Sequence, residues 1–138
     1  MTDQELVAVA IESRERAYVP YSHFAVGAAL LCADGTVYGG CNIENAAYSP
    51  GNCAERTAFF HAVFDGHRDF EAIAIVGGPE GKPIENLCAP CGMCRQVMME
   101  FCRPQSFHII LADAPDRPQS FTLEELLPLG FGPQDLQP

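Results

Sequence analysis

Basic residues are scarce in this sequence: eight lysines and arginines stand against 18 aspartates and glutamates, for a formal charge of −10. Such a balance repels a phosphate backbone, and Arg14, Arg56, Lys82 and Arg117 are scattered along the chain, which argues against a nucleic-acid partner. Long apolar runs are missing as well. The longest, Ala25 to Ala33, falls far short of the ~20 residues a membrane helix needs. The start, Met1-Thr2-Asp3-Gln4-Glu5, carries acids where a secretory signal carries lysines. The expectation is a cytoplasmic protein with no membrane partner. Repeats, linkers and low-complexity tracts are also lacking, so the 138 residues read as one domain, 1–138. What the chain does have is seven cysteines. An odd number, in a chain long enough to build a core without staples, argues for reduced thiols, some of them holding metal.

Thr2-Asp3-Gln4-Glu5 has the form of a capping box, and the spacing of Leu6, Val7, Ala10, Ile11, Arg14 and Ala17 predicts a helix to about Tyr18, ended by Val19-Pro20. Phe24 to Cys32 reads as a strand, Ala33-Asp34-Gly35-Thr36 as a hairpin turn and Val37 to Glu44 as the returning strand. A helix from Cys53 to Phe64, a buried strand from Phe70 to Val76 closed by Gly77-Gly78-Pro79, a helix from Cys91 to about Phe101 and a strand from Phe107 to Leu111 follow. Thr122-Leu123-Glu124-Glu125 is a second capping box. The pattern predicts an α/β fold: a three-layer α/β/α sandwich with a mixed, roughly five-stranded sheet, antiparallel at one edge and parallel elsewhere.

Cys53-Ala54-Glu55 and Pro90-Cys91-Gly92-Met93-Cys94 both sit where a turn becomes a helix. Free N–H groups and partial positive charge at a helix start favour thiolates, the form that binds metal. Cys91 and Cys94 can grip one ion from one helix face, and Cys53 can supply a third sulfur from the other helix. Three ligands leave a tetrahedral position open for water, as catalytic zinc does, and Glu55 can then shuttle that water's proton if Cys53 sits at the helix boundary. Cys88 is a rival fourth ligand that would close the site and make it structural. Cys32, Cys41 and Cys102 read as small hydrophobes. An iron–sulfur run lacks its fourth cysteine, since Val97 and Met98 follow Cys94.

C-A-E followed after a long gap by P-C-x-x-C resembles the zinc-dependent cytidine deaminases. The resemblance runs from Tyr18 to Leu136. Its blocks are Tyr18-Val19-Pro20-Tyr21-Ser22-His23-Phe24, Val26-Gly27-Ala28-Ala29-Leu30, Gly40-Cys41-Asn42-Ile43-Glu44-Asn45-Ala46, Cys53-Ala54-Glu55-Arg56, Pro90-Cys91-Gly92-Met93-Cys94-Arg95-Gln96 and Leu127-Pro128. They are similar to the short, homotetrameric branch with three cysteine ligands, which acts on cytidine and deoxycytidine.

That resemblance implies one Zn²⁺ per subunit on Cys53, Cys91 and Cys94, with Glu55 moving protons between water, N3 of the ring and the departing amino group. Asn42 and Glu44, by themselves readable as a solvated strand face, become a ribose-binding pair. Phe24, by itself readable as core, becomes the aromatic that packs on the base, and the Ala54 N–H meets the pyrimidine edge. Ala46 and Tyr48 are implied to line a neighbouring subunit's pocket and Phe131 to cover the base across the interface. Arg56, otherwise a surface arginine, is implied to hydrogen-bond to sulfurs of Cys53 and Cys91 and withdraw charge from the ligand set. His23, His61, His67 and His108 find no place in this site. Blasticidin deaminases share the cysteine blocks and are the nearest rival, while a zinc module without catalysis is a rival of another class. An RNA- or DNA-editing deaminase conflicts with the charge of −10.

Overall fold

The computed structural model describes residues 1–136; the last two positions of the expected 1–138 domain lie outside the described residues. Helix α1 spans Asp3–Arg14. Its capping box forms as expected, with the Glu5 N–H donating to Thr2 Oγ1 at 3.1 Å and the Thr2 N–H to Glu5 Oε2 at 3.0 Å. The helix stops short of Tyr18, whose N–H instead donates to the Asn42 carbonyl at 3.0 Å in an isolated bridge. Strands β1 (Phe24–Cys32) and β2 (Val37–Cys41) form the expected hairpin, although β2 ends before Glu44. Helix α2 (Ala54–Phe64), strand β3 (Phe70–Pro79), helix α3 (Gly92–Phe101) and strand β4 (His108–Ala112) follow. An edge strand β5 (Pro118–Thr122), which the sequence reading lacked, precedes a short helix α4 (Leu123–Leu126) whose capping box is the second one expected.

The sheet order is β2-β1-β3-β4-β5. Among neighbouring strands β3 and β4 alone pair in parallel; β1 is antiparallel to both β2 and β3, and β5 is antiparallel to β4. This corrects the expectation of a sheet parallel beyond one edge. Helix α2 leaves β2 at the edge and delivers β3 to the far side of β1, so β3 runs with β2 and against the strand between them. A short return brings β5 back along β4, and short connections favour antiparallel neighbours.

Helix α1 covers one face, packing Leu6, Val7 and Ala10 on Ala29, Ala74, Val76 and Ile110. Helices α2 and α3 cover the other, packing Ala54, Ala58, Phe59, Cys94 and Met98 on Leu30, Ile73, Ile75 and Ile109. Alternate residues of β3 thus enter opposite cores, which is why that strand reads as continuously apolar. Gly40 of β2 sets the height of α2: a Cβ there would collide with the Ala54 carbonyl and the Ala58 amide. Having none, β2 lets the first turn of α2, which carries Cys53 and Glu55, lie close on the sheet.

Candidate active site

Cys53 and Cys91 are the N-cap residues of α2 and α3, each with extended backbone and with its side chain free of any capping bond. A sulfur at that position is not consumed by the helix and can turn outward to a ligand. The chain before α2 is held by a two-way bridge: the Ile43 N–H donates to the Asn52 carbonyl at 3.0 Å, and the Asn52 N–H donates back at 2.9 Å. Thr57 Oγ1 donates to the Cys53 carbonyl at 3.0 Å. At the start of α3, Arg95 Nε donates to the Pro90 carbonyl at 2.8 Å and its Nη1 to the Leu126 carbonyl at 2.6 Å, fixing the turn that presents Cys91.

The Cys91 and Cys94 sulfurs lie 3.5 Å apart, and those of Cys53 and Cys91 lie 4.0 Å apart. All three are within 4.8 Å of one another, and Cys88 is not part of the group. A closed four-cysteine site is therefore not what the fold assembles. Cys88 instead packs on Gly77, its thiol pushed up to about 11 by burial and by the neighbouring Glu55 charge.

Cys53 is held down to about 5, first by the Cys94 thiol that donates to it and then by Arg56. Cys94, the donor of that pair, is raised. The donors at the junction thus favour Cys53 as the thiolate, and soft sulfur donors in a convergent trio fit one zinc ion. Arg56 Nη2 donates to the Cys53 sulfur at 3.2 Å. The second sulfur beside this guanidinium belongs to Cys94, not Cys91 as expected from sequence, because Cys94 sits inside the first turn of α3 while Cys91 caps it from the exposed side.

Glu55 lies in the first turn of α2 and is 5% exposed. Burial raises its carboxyl to about 7, with the Cys53 charge adding to the shift. A carboxyl that exchanges protons near neutrality beside three sulfurs is suited to general acid–base work.

A groove of about 550 Å³ opens beside the cluster, bordered by Cys53, Arg56, Asn42, Glu44, Asn45 and Tyr48 among others. Asn42 and Glu44 therefore do share this surface, yet both are also structural. Asn42 Oδ1 accepts from the Val26 N–H at 2.9 Å and its Nδ2 donates to the Phe24 carbonyl at 2.9 Å. The Glu44 carboxylate accepts from the Tyr21 and Ser22 amides at 3.0 and 3.1 Å and from the Ser22 hydroxyl, which holds its pKa below the usual carboxylate value. Ala54 is buried beneath the site, while Phe24, Ala46 and Phe131 are exposed and do not border the groove. Tyr48, expected to serve another subunit, borders the groove of its own chain at positive φ and is 79% exposed. The sequence reading assigned no role to Gln96, whose Nε2 donates to the Phe131 carbonyl at 2.8 Å and ties the C-terminal segment to α3. It lies inside the quoted P-C-x-x-C-R-Q block, so the signal was present.

A sequence profile described as "Cytidine and deoxycytidylate deaminase zinc-binding region" matches residues 1–109. The chain belongs to this deaminase family. It is an enzyme of that family, 52% identical to a cytidine deaminase of Sporosarcina psychrophila over 99% of this chain and 96% of that one. The crystal structure of cytidine deaminase from Burkholderia pseudomallei superimposes with a TM-score of 0.84 at 46% identity, covering 95% of this chain and all of that one. A blasticidin-S deaminase of Bacillus cereus is 33% identical over 94% of this chain and 91% of its own length. The fold is accordingly the cytidine deaminase α/β sandwich, and no helix among the described residues is long and apolar enough to cross a membrane.

Proposed function

We propose that this enzyme hydrolyses cytidine and 2′-deoxycytidine to uridine and 2′-deoxyuridine with release of ammonia. The observation that carries the reading is Glu55, buried in the first turn of α2 beside three convergent sulfurs, one of which, Cys53, borders a groove of about 550 Å³. Cys53, Cys91 and Cys94 would hold zinc, which when bound supplies Lewis acidity that makes water a competent nucleophile near neutral pH. Glu55 takes a proton from the attacking water and gives it to ring N3 as C4 becomes tetrahedral. It then takes the proton of the new C4 hydroxyl and passes it to the amino nitrogen, the C4–N bond breaks, and ammonia leaves a carbonyl behind. Arg56 draws charge from Cys53 and Cys94.

Asn42 and Glu44 would take the sugar hydroxyls. Their bonds to β1 and to the Tyr21-Ser22 turn hold them in place beforehand, which lowers the ordering cost of binding. The Ala54 N–H would meet the pyrimidine edge and Phe24 would pack on the base. Exposed Tyr48 and Phe131, with Ala46, fit a homotetramer whose sites are shared between copies. The same reading takes residues 1–138 as one catalytic domain, and the free thiols suit a reducing cytoplasm.

Ultraviolet assay of the purified, zinc-analysed protein on cytidine, deoxycytidine and blasticidin S tests the reading. Turnover of both nucleosides is the expected result. Turnover of blasticidin S alone would move the enzyme to that rival class, which the Bacillus cereus relative keeps in view. Phe131→Ala should raise KM for cytidine a few-fold, the scale of ~0.5–1.5 kcal/mol of lost stacking. A fully active monomer in sedimentation would remove the shared-site part.

A further inference from the structure

At the opposite end of α2, three residues that the catalytic reading leaves unused come together. Cys32 closes β1, Asp34 lies in the hairpin turn, and His67 follows the C-terminus of α2. One ligand atom of each lies within 4.8 Å of the other two. Cys32 and Asp34 are neighbours in the hairpin, and His67 reaches them from a segment more than thirty residues further along the chain.

The hydrogen bonds around His67 fix which ring nitrogen faces Asp34. Tyr38 has a single hydroxyl proton, and it donates that proton to Asp65 Oδ2 at 2.8 Å. His67 Nδ1, 3.1 Å from the same oxygen, must then be the donor to Tyr38. Nε2 then faces Asp34 Oδ2, 3.2 Å away, a contact that a cation must complete: a proton on Nε2 makes an ion pair of the two, and a metal ion in its place engages the Cys32 sulfur as well. The charge of the surroundings favours a cation of either kind, since Asp34, Asp65 and the C-terminal end of α2 are all negative.

We propose that Cys32, Asp34 and His67 form a second divalent-metal site, of the zinc or cobalt class, that clamps the β1–β2 turn to the segment after α2. Thiolate and imidazole donors exclude magnesium and calcium, which take oxygen ligands. The Tyr38 hydroxyl supplies the outer hydrogen bond that fixes a metal-ligating histidine's tautomer. On the exposed side, where the Asp34 side chain is 60% open, solvent completes the coordination. Binding ionises the Cys32 thiol and sends its proton to solvent, so apparent affinity rises about tenfold per pH unit while that thiol is the only proton released. Because the thiol is 1% exposed and burial opposes its ionisation, this site is weaker than the catalytic one.

The test is cobalt titration of the zinc-loaded full chain, read by thiolate-to-cobalt absorption together with zinc retention and nucleoside turnover. The expected result is one cobalt per chain beyond the retained zinc, with a thiolate band and unchanged turnover. Cys32→Ser should abolish the band, and Asp34→Asn at an exposed position and His67→Gln at a half-buried one should weaken binding at least about tenfold even if the Cys32 variant folds poorly. Cobalt that binds only by releasing zinc, cobalt bound without a thiolate band, or equal affinity in His67→Gln would overturn the proposal. Retained zinc and turnover report the catalytic reading separately.

Discussion

Helix α2 has a cysteine-bearing cluster at each end, and the same thiol behaves oppositely at the two. At the N-terminal end Cys53 is held down to about 5 by the Cys94 thiol and then by Arg56. At the C-terminal end Cys32 is pushed up to about 11 by burial and then by Asp34. Hydrogen-bond donors, a cation and free helix N–H groups surround the first, whereas carboxylates and a closed core surround the second. The contrast shows that cysteine content alone does not mark reactivity, because the partners presented at each helix end decide whether sulfur meets the solvent as thiolate or thiol.

The comparison is broken most severely by removing the sulfur trio. Cys94→Ala should lose zinc, lower the melting temperature because two helix starts are no longer joined, and cut turnover about a thousandfold or more, the scale of several kcal/mol. Metal analysis and calorimetry read both effects, and full zinc occupancy would show that Cys88 can substitute. Glu55→Gln comes next. It should leave zinc content and melting temperature near wild type while kcat falls about a hundredfold or more, since only the proton carrier is gone. A variant keeping a tenth of wild-type turnover would remove Glu55 from the reaction.

Much of this N-terminal end was legible in the sequence. Capping position, the three cysteines and Glu55 are local patterns, and the bounds of β1, α2 and α3 follow from equally local periodicity. Where the reading failed, the cause was long-range. Strand β3 runs on through Gly77-Gly78-Pro79, paired with Val26, Ala25 and Phe24, a register no turn signal reveals. Strand β5 begins with a proline and lies half exposed on an edge, so it shows neither apolar run nor clean alternation. The Cys32, Asp34 and His67 group has no motif spacing at all. Its members were read as a hydrophobe, a turn residue and an unassigned histidine, and only the packing of α2 over the hairpin joins them.

Arg56 sharpens the comparison at a smaller scale. Its Nη2 meets Cys53, but its Nε is buried without a partner among the described residues, so the guanidinium is held by packing as well as by sulfur. Arg56→Gln should retain zinc yet lower kcat by roughly tenfold, the loss given for groups that tune ligands from outside. The pH–rate profile separates this from a packing defect: lost charge withdrawal raises the acid limb, while simple loosening leaves it in place. Unchanged kcat would leave Cys53 without an electrostatic partner that matters.

The smallest effect is expected at the other end, in the pH dependence of stability. The folded chain raises the Cys32 thiol from 9.0 to about 11, so the neutral form is favoured by folding. Linkage then gives the sign: a raised folded pKa contributes stability that is whole below about 9 and disappears as pH climbs toward about 11. With zinc in the catalytic site and no added metal, denaturant midpoints should therefore fall across that interval. Cys32→Ala, which removes the thiol and little volume, should flatten part of the slope without touching turnover. It should not flatten all of it, since burial also raises Cys102 and Cys41. An identical slope in wild type and variant would mean that Cys32 ionises without cost in the folded chain, and the electrostatic contrast between the two ends of α2 would collapse.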